Sequence, residues 1–152
     1  MSKTIGIVGQ GFVGTAVREG MSGFYNVETY DINKICTCST LEELVEVSDF
    51  IFLCLPTPMR KNGRCDLSIV KDTVKKIDEM KQEKILIIKS TVPPGTTDML
   101  NRECNNVNVV FNPEFLTEAN YLDDFKNQNR IIVGGKRPYS TKVSNLFKKA
   151  FP

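Results

Sequence analysis

The chain has 152 residues, enough for one domain with a single good core and too few for a second full domain. Hydrophobic residues make up 41% and charged residues 25%, and the formal net charge of +2 is too weak to mark a nucleic-acid surface. There is no histidine, and the five cysteines (Cys36, Cys38, Cys54, Cys65, Cys104) form no C-x-x-C pair, which argues against metal binding and imidazole catalysis and for a reducing compartment.

No apolar run approaches the roughly 18 residues of a membrane span, and no signal pattern opens the sequence. The expectation is a cytoplasmic protein that binds neither membrane nor nucleic acid. The basic group Lys136, Arg137, Lys142, Lys148 and Lys149 reads as a solvated helix face.

In chain order, Ile5 to Val8 is an apolar run that leads into glycines, and Val13, Ala16, Val17 and Met21 form the stripe of a following helix. A second strand covers Val27–Tyr30. Lys34 to Cys38 reads as a short strand, and Thr40-Leu41-Glu42-Glu43 carries a capping-box signature for a helix through Val47. Phe50 to Leu55 is apolar throughout, as a strand buried on both faces must be. Pro56-Thr57-Pro58 stops it.

Asp66 then caps a helix with Ile69, Val70, Val74, Ile77 and Met80 on one face. Lys84 to Lys89 is the next buried strand, a helix starts at Thr96 or Thr97, and Val107 to Phe111 forms another strand. A loop or short helix through Tyr121 and Phe125 leads to a last strand at Arg130–Gly135, and a terminal helix from Ser140 is apolar at Val143, Leu146, Phe147 and Ala150. Alternating strands and helices specify an α/β fold: a Rossmann-like, doubly wound, mostly parallel sheet with helices on both faces, spanning residues 1–152 as one domain.

The loops after the strands are where such sheets bind ligands. The first, Gly9-Gln10-Gly11-Phe12-Val13-Gly14, has the spacing G-x-G-x-x-G. Gly9 suits a tight turn, Gly11 a close approach of backbone to a pyrophosphate, and Gly14 close packing of helix on strand. The helix N-terminus supplies unpaired N–H groups and a positive dipole end. Asp31 follows the second strand about 20 residues beyond Gly9, where a dinucleotide fold places the carboxylate that binds the adenosine ribose. That carboxylate favours NAD over NADP, because it pairs with free hydroxyls and repels a 2′-phosphate. Lys34 nearby either pairs with Asp31, approaches the ribose or is solvated, with solvation the simplest expectation.

Further segments give this chain a specific resemblance. With the glycine loop, Leu53-Cys54-Leu55-Pro56-Thr57-Pro58, Ser90-Thr91-Val92-Pro93-Pro94-Gly95-Thr96-Thr97, Asn112-Pro113-Glu114-Phe115-Leu116-Thr117-Glu118-Ala119, Asp124-Phe125 and Arg130-Ile131-Ile132-Val133-Gly134-Gly135 resemble the N-terminal NAD-binding domain of the UDP-glucose/GDP-mannose dehydrogenase family. The resemblance implies oxidation of a nucleotide-sugar C6 alcohol to a carboxylate by two NAD⁺ and a cysteine that holds the substrate covalently. It implies that Gly9, Gln10, Gly11, Phe12, Val13 and Gly14 bind pyrophosphate and Asp31 the adenosine ribose. Leu55, Pro56, Thr57, Ser90, Thr91, Val92 and Glu118 would line the nicotinamide half, with Thr91 and Glu118 also in the reaction. Glu114, Phe115, Leu116 and Thr117 would meet the sugar nucleotide, with Glu114 the candidate general base.

The residues alone leave alternatives open. Glu114, directly after a strand and Pro113, is held at the ligand edge and is suited to proton transfer, or it caps the following turn. Thr91 is a ligand hydroxyl or a turn residue before two prolines. Glu118 is a ligand or a solvated cap. None of the five cysteines has the context of the family's catalytic thiol, and Cys54, inside an apolar strand, reads as core with a high thiol pKa.

The catalytic-cysteine and substrate-domain motifs of the family are absent from this sequence. The chain therefore reads as the NAD-binding part of a nucleotide-sugar 6-dehydrogenase whose thiol comes from a missing domain or a partner chain. The alternative is a stand-alone NAD-binding or regulatory module without turnover. An exposed apolar patch, and with it self-association into a homo-oligomer, is expected where that domain would pack.

Overall fold

Five short strands, apolar throughout at β3 and more polar at the edge strand β2, form one all-parallel sheet in the computed structural model, which describes residues 3–152. The strands are β1 (Thr4–Val8), β2 (Asn26–Tyr30), β3 (Phe50–Leu53), β4 (Lys84–Ile88) and β5 (Val107–Phe111), in the order β2-β1-β3-β4-β5. The helices are α1 (Phe12–Met21), α2 (Leu41–Val47), α3 (Ser68–Glu79), α4 (Thr96–Glu103), α5 (Tyr121–Lys126) and α6 (Tyr139–Ala150). Because β1 connects leftward to β2 while β3 lies on its other side, the strand order reverses between β1 and β3. Ligands of open parallel sheets bind at the carboxyl ends of the strands at such a reversal.

The period-2 alternation of the strands splits the core in two. Ile5, Ile7, Phe50, Phe52, Ile85 and Ile87 face one side, with Ala16, Val17 and Met21 of α1, Phe125 of α5 and Val143, Leu146 and Phe147 of α6. Ile51, Leu53, Leu86, Ile88 and Val109 face the other, with Leu44 and Val45 of α2, Val70, Val74 and Ile77 of α3 and Leu100 of α4. Every residue of β3 is buried, so this four-residue strand needs apolar side chains at each position. Fully burying each such side chain stabilises the fold by about 1.5–3 kcal/mol.

The helix ends follow the residues expected to make them. Thr40 Oγ1 accepts from Glu43 N at 3.1 Å, while the Glu43 carboxylate accepts from Ser39 N at 3.0 Å, one residue before the usual capping-box partner. At α3 the N-cap position is Leu67 and not the expected Asp66, but Asp66 Oδ1, one residue earlier, still accepts from Ser68 N at 3.0 Å. Ile69 belongs to the expected apolar face but is exposed, and Val70, Val74 and Ile77 carry that face with partly buried Met80 beside them.

Two expected strands are not strands. Lys34 to Cys38 is irregular: Thr37 Oγ1 takes the Thr29 N–H at 2.7 Å, the group a ladder would need, and Ile35 is fully exposed with nothing to pack on. Arg130–Gly135 makes only one antiparallel bridge, Phe111 to Gly134, with reciprocal N–H···O bonds of 2.7 and 2.8 Å. The Ile132 carbonyl is occupied by the Asn112 side chain at 2.8 Å, and Ile132 itself is exposed while Ile131 and Val133 pack on the core. The segment has β-forming composition but meets the sheet edge through this single backbone bridge and the Asn112 side chain.

Candidate functional site

The carboxyl ends of β1 to β4 and the loops beyond them enclose a crevice of about 740 Å³. The glycine turn forms one wall. Gly9 takes φ +97°, donates its N–H to Tyr30 O at 2.8 Å, and lies so close to the Cys54 carbonyl that a β-carbon would collide with it. Gly14 is packed against Gly9 O in the same way, which brings α1 onto the turn. Gly11 by contrast has open space where a β-carbon would stand, in front of a helix with no acidic residue in its first turn. The result is an open cradle at a positive helix end, which suits an anion such as pyrophosphate.

Gln10 is buried, and its peptide is fixed from both sides. Its N–H donates to Asp31 Oδ2 at 2.7 Å, and its carbonyl accepts from Lys34 Nζ. The side chain donates to Gly9 O at 3.0 Å and accepts from Arg18 Nη1 at 3.2 Å. Asp31 is further held by Asn33 N at 2.8 Å on its other oxygen. Lys34 is therefore tied to the glycine loop, a correction to the expectation that it is simply solvated: its stem is exposed, but its amine has a fixed partner.

Across the crevice, Ser90 Oγ accepts from Leu55 N at 2.9 Å, and Thr57 Oγ1 donates to Thr91 O at 2.7 Å. Ser90 and Thr91 thus hold the Leu55-Pro56-Thr57 loop against the end of β4. Glu114 lines the crevice while Leu116 N donates to its Oε2, so it stands at the ligand edge and closes the following turn at once.

The floor holds a group that the sequence reading did not single out. Lys89 is 2% exposed; its Nζ donates to Asn112 Oδ1 at 2.9 Å and lies 5.8 Å from the centre of the Phe125 ring. Burial pulls the amine down to about 8, against the raising influence of Cys54 and Glu114. Cys54 lies just past β3 rather than inside it and borders the crevice. Burial nevertheless pushes its thiol up to about 12, with Lys89 lowering and Glu114 raising it, so it is an unreactive thiol at neutral pH. The sequence signals the burial of Lys89 but not its partners: a lysine ending a run of four apolar strand residues enters the protein with its strand.

Gly9, Gln10, Gly11, Phe12, Val13, Asp31, Leu55, Pro56, Thr57, Ser90, Thr91 and Glu114 converge on this crevice. Gly14 supports it from behind. Val92 turns to the α3 and α4 side of the core, and Glu118 is exposed outside the crevice. Phe115 is half exposed under the Arg130 guanidinium at 4.8 Å, Leu116 packs on the core, and Thr117 donates from N and Oγ1 to Asp124 Oδ2 at 2.9 and 2.6 Å. Among the described residues, no three His, Cys, Asp or Glu side chains converge to hold a metal, and no helix is long and apolar enough to cross a membrane.

A glycine cradle on a helix N-terminus, a fixed carboxylate after β2 and a crevice at the strand-order reversal define a dinucleotide-binding domain. Sequence comparison is more specific. Residues 27–151 match the model of the UDP-glucose/GDP-mannose dehydrogenase family, NAD binding domain, and the chain belongs to that family. Over 138 residues it is 36% identical to the uncharacterized protein MJ1054 of Methanocaldococcus jannaschii, covering 88% of this chain and 15% of that protein. It is 32% identical over 120 residues to UDP-glucose 6-dehydrogenase of Campylobacter jejuni, covering 78% and 30% respectively. The structure of a UDP-glucose dehydrogenase from Pyrobaculum islandicum superposes with a TM-score of 0.84 at 24% identity, over 97% of this chain and 44% of that one, which bears on the fold. The chain thus spans less than a third of the length of these curated relatives. Its cofactor is the family's, NAD.

Proposed function

We propose that this chain is the NAD-holding part of a nucleotide-sugar 6-dehydrogenase that oxidises a sugar C6 alcohol to a carboxylate, with the thiol that carries the intermediate supplied by a further domain or a partner chain. NAD⁺ supplies the hydride acceptor. The chain's residues bind and orient it: the N–H groups at Gly11 to Val13 and the start of α1 receive the pyrophosphate, and Asp31 accepts from the adenosine ribose hydroxyls. The nicotinamide half lies over Leu55 to Thr57, Ser90 and Thr91, with Val92 and Glu118 brought in by the family's pattern. Glu114 takes the alcohol proton as the hydride leaves carbon, and Phe115, Leu116 and Thr117 border the sugar nucleotide. The five free cysteines support a cytoplasmic setting.

The observation that carries this reading is the Gln10 peptide, whose N–H is fixed by the same Asp31 carboxylate that lines the crevice beside the glycine loop. Calorimetric titration with NAD⁺ and NADP⁺ tests it, with Asp31→Ala as the control. Saturable binding that favours NAD⁺ and weakens in the variant is expected. Equal binding of both dinucleotides, unchanged in Asp31→Ala, would remove the ribose assignment.

A further inference from the structure

Lys89 is the one buried ammonium described on the crevice floor, and its position relative to a bound dinucleotide follows from the topology. Asp31 stands after β2, at one side of the strand-order reversal, while Lys89 ends β4, on the far side of β1 and β3. With the adenosine ribose at Asp31 and the pyrophosphate at the α1 N-terminus, the second nucleotide extends toward β4. On that reading the part of the cofactor whose charge changes on reduction would lie on the Lys89 side of the crevice. The nicotinamide ring carries +1 in NAD⁺ and is neutral in NADH.

We propose that Lys89 is a redox-state-discriminating residue: its buried ammonium, fixed beneath the nicotinamide half of the crevice by Asn112, favours NADH over NAD⁺. The inference rests on the reading of this crevice as the cofactor site. The groups that act on Lys89 come from the ends of two strands, Cys54 after β3 and Glu114 after β5. From α5 it meets the Phe125 ring. The Cys54 thiol is neutral through the working range and cannot compensate the ammonium, because its own ionisation lies at about 12. Glu114 offsets part of the repulsion. It is present for both cofactor forms, so the difference between them still follows the charge on Lys89.

The charge on Lys89 is lost as pH rises through about 8, so the preference for NADH is largest below that pH and relaxes above it. For one added charge near the ring at an effective dielectric of ~20, the expected change is on the order of tenfold. A lysine with this role also favours the step that converts bound NAD⁺ to NADH, since it stabilises the neutral ring relative to the cation.

The experiment is titration of the full chain with NAD⁺, NADH and ADP-ribose at about pH 6.5 and about pH 9.5, bracketing the Lys89 transition. Wild type, Lys89→Met and Lys89→Gln are compared. The ratio of the NAD⁺ to the NADH dissociation constant should fall about tenfold with rising pH in wild type. In both variants it should be flat, near the wild-type high-pH value. ADP-ribose, which lacks the nicotinamide, reports the cradle and Asp31 alone. If ADP-ribose does not bind, the cofactor reading falls and this inference with it. If ADP-ribose binds but the wild-type ratio is constant with pH, or its pH dependence survives in either folded variant, the discrimination by Lys89 is overturned and the cofactor reading stands. The wild-type arm decides even where both variants fail to fold.

Discussion

The three glycines of the first loop divide the labour between stability and binding, and single methyl groups separate the two. At Gly14 a β-carbon meets the Gly9 carbonyl, which is backbone and cannot rotate away. Gly14→Ala should therefore destabilise the fold by about 1–3 kcal/mol, seen as a drop of several degrees in a thermal melt. At Gly11 the backbone has φ −74° and open space, so alanine is tolerated by the fold. Gly11→Ala should leave the melt within about 0.5 kcal/mol of wild type and weaken NAD⁺ binding in calorimetry, because its methyl occupies the cradle. The turn at Gly9 and the close packing at Gly14 were readable from spacing alone, since each rests on backbone geometry that the motif fixes. Lys89 was not readable as a floor residue, because its setting needs Asn112, Phe125 and Glu114, which come from distant parts of the chain. Lys34 was misjudged for the same reason: its partner is a carbonyl that no side-chain pattern announces.

Elements were legible where one periodicity settled them. The stripes of α1, α3 and α6 and the apolar runs of β3 and β4 stand where the sequence put them, because burial of one helix face or both strand faces leaves a pattern. The failures, at 34–38 and 130–135, are segments whose residue types suit a strand but whose backbone groups meet side chains instead of a ladder: the Thr37 N–H donates to Thr29 Oγ1 and the Ile132 carbonyl accepts from Asn112. Competition of side chains for backbone groups is invisible to a hydrophobic pattern. At the start of α2 the same competition is favourable, and the Thr40 cap is a clean test. Thr40→Ala should lower stability by about 1 kcal/mol, with a smaller loss for Thr40→Ser, which keeps the hydroxyl. Equal melts for all three proteins would show that Glu43 and Ser39 alone hold that end.

For the whole molecule, the pH dependence of stability is set by a few buried and half-buried groups with opposite signs. Asp78 is held below the usual carboxylate range even though burial opposes it, because the N–H groups of Asn106, Asn105 and Val107 converge on it and tie the end of α3 to the start of β5. A carboxyl depressed in the folded state gives stability that is present above its unfolded value near 4 and lost as pH falls, so acid should loosen this corner. On the alkaline side, Lys89 is depressed from 10.5 to about 8 in the folded protein, so the unfolded chain binds more protons between those values and stability rises with pH from about 8. Cys54 and Cys104 run the other way. Burial raises them from 9.0 to about 12 and about 11, the folded state then holds more protons than the unfolded one, and stability falls as pH passes 9. Burial raises the Cys38 thiol as well, so three thiols oppose one amine above that point. Unfolding free energies from denaturant titrations between about pH 7 and about pH 11 should therefore climb between about 8 and 9, with a slope of at most about 1.4 kcal/mol per pH unit, and decline beyond. In Lys89→Met the climb should vanish while the decline remains. A wild-type unfolding free energy that only falls across this range would mean that Lys89 meets water in the folded protein, and the crevice floor would have to be wet.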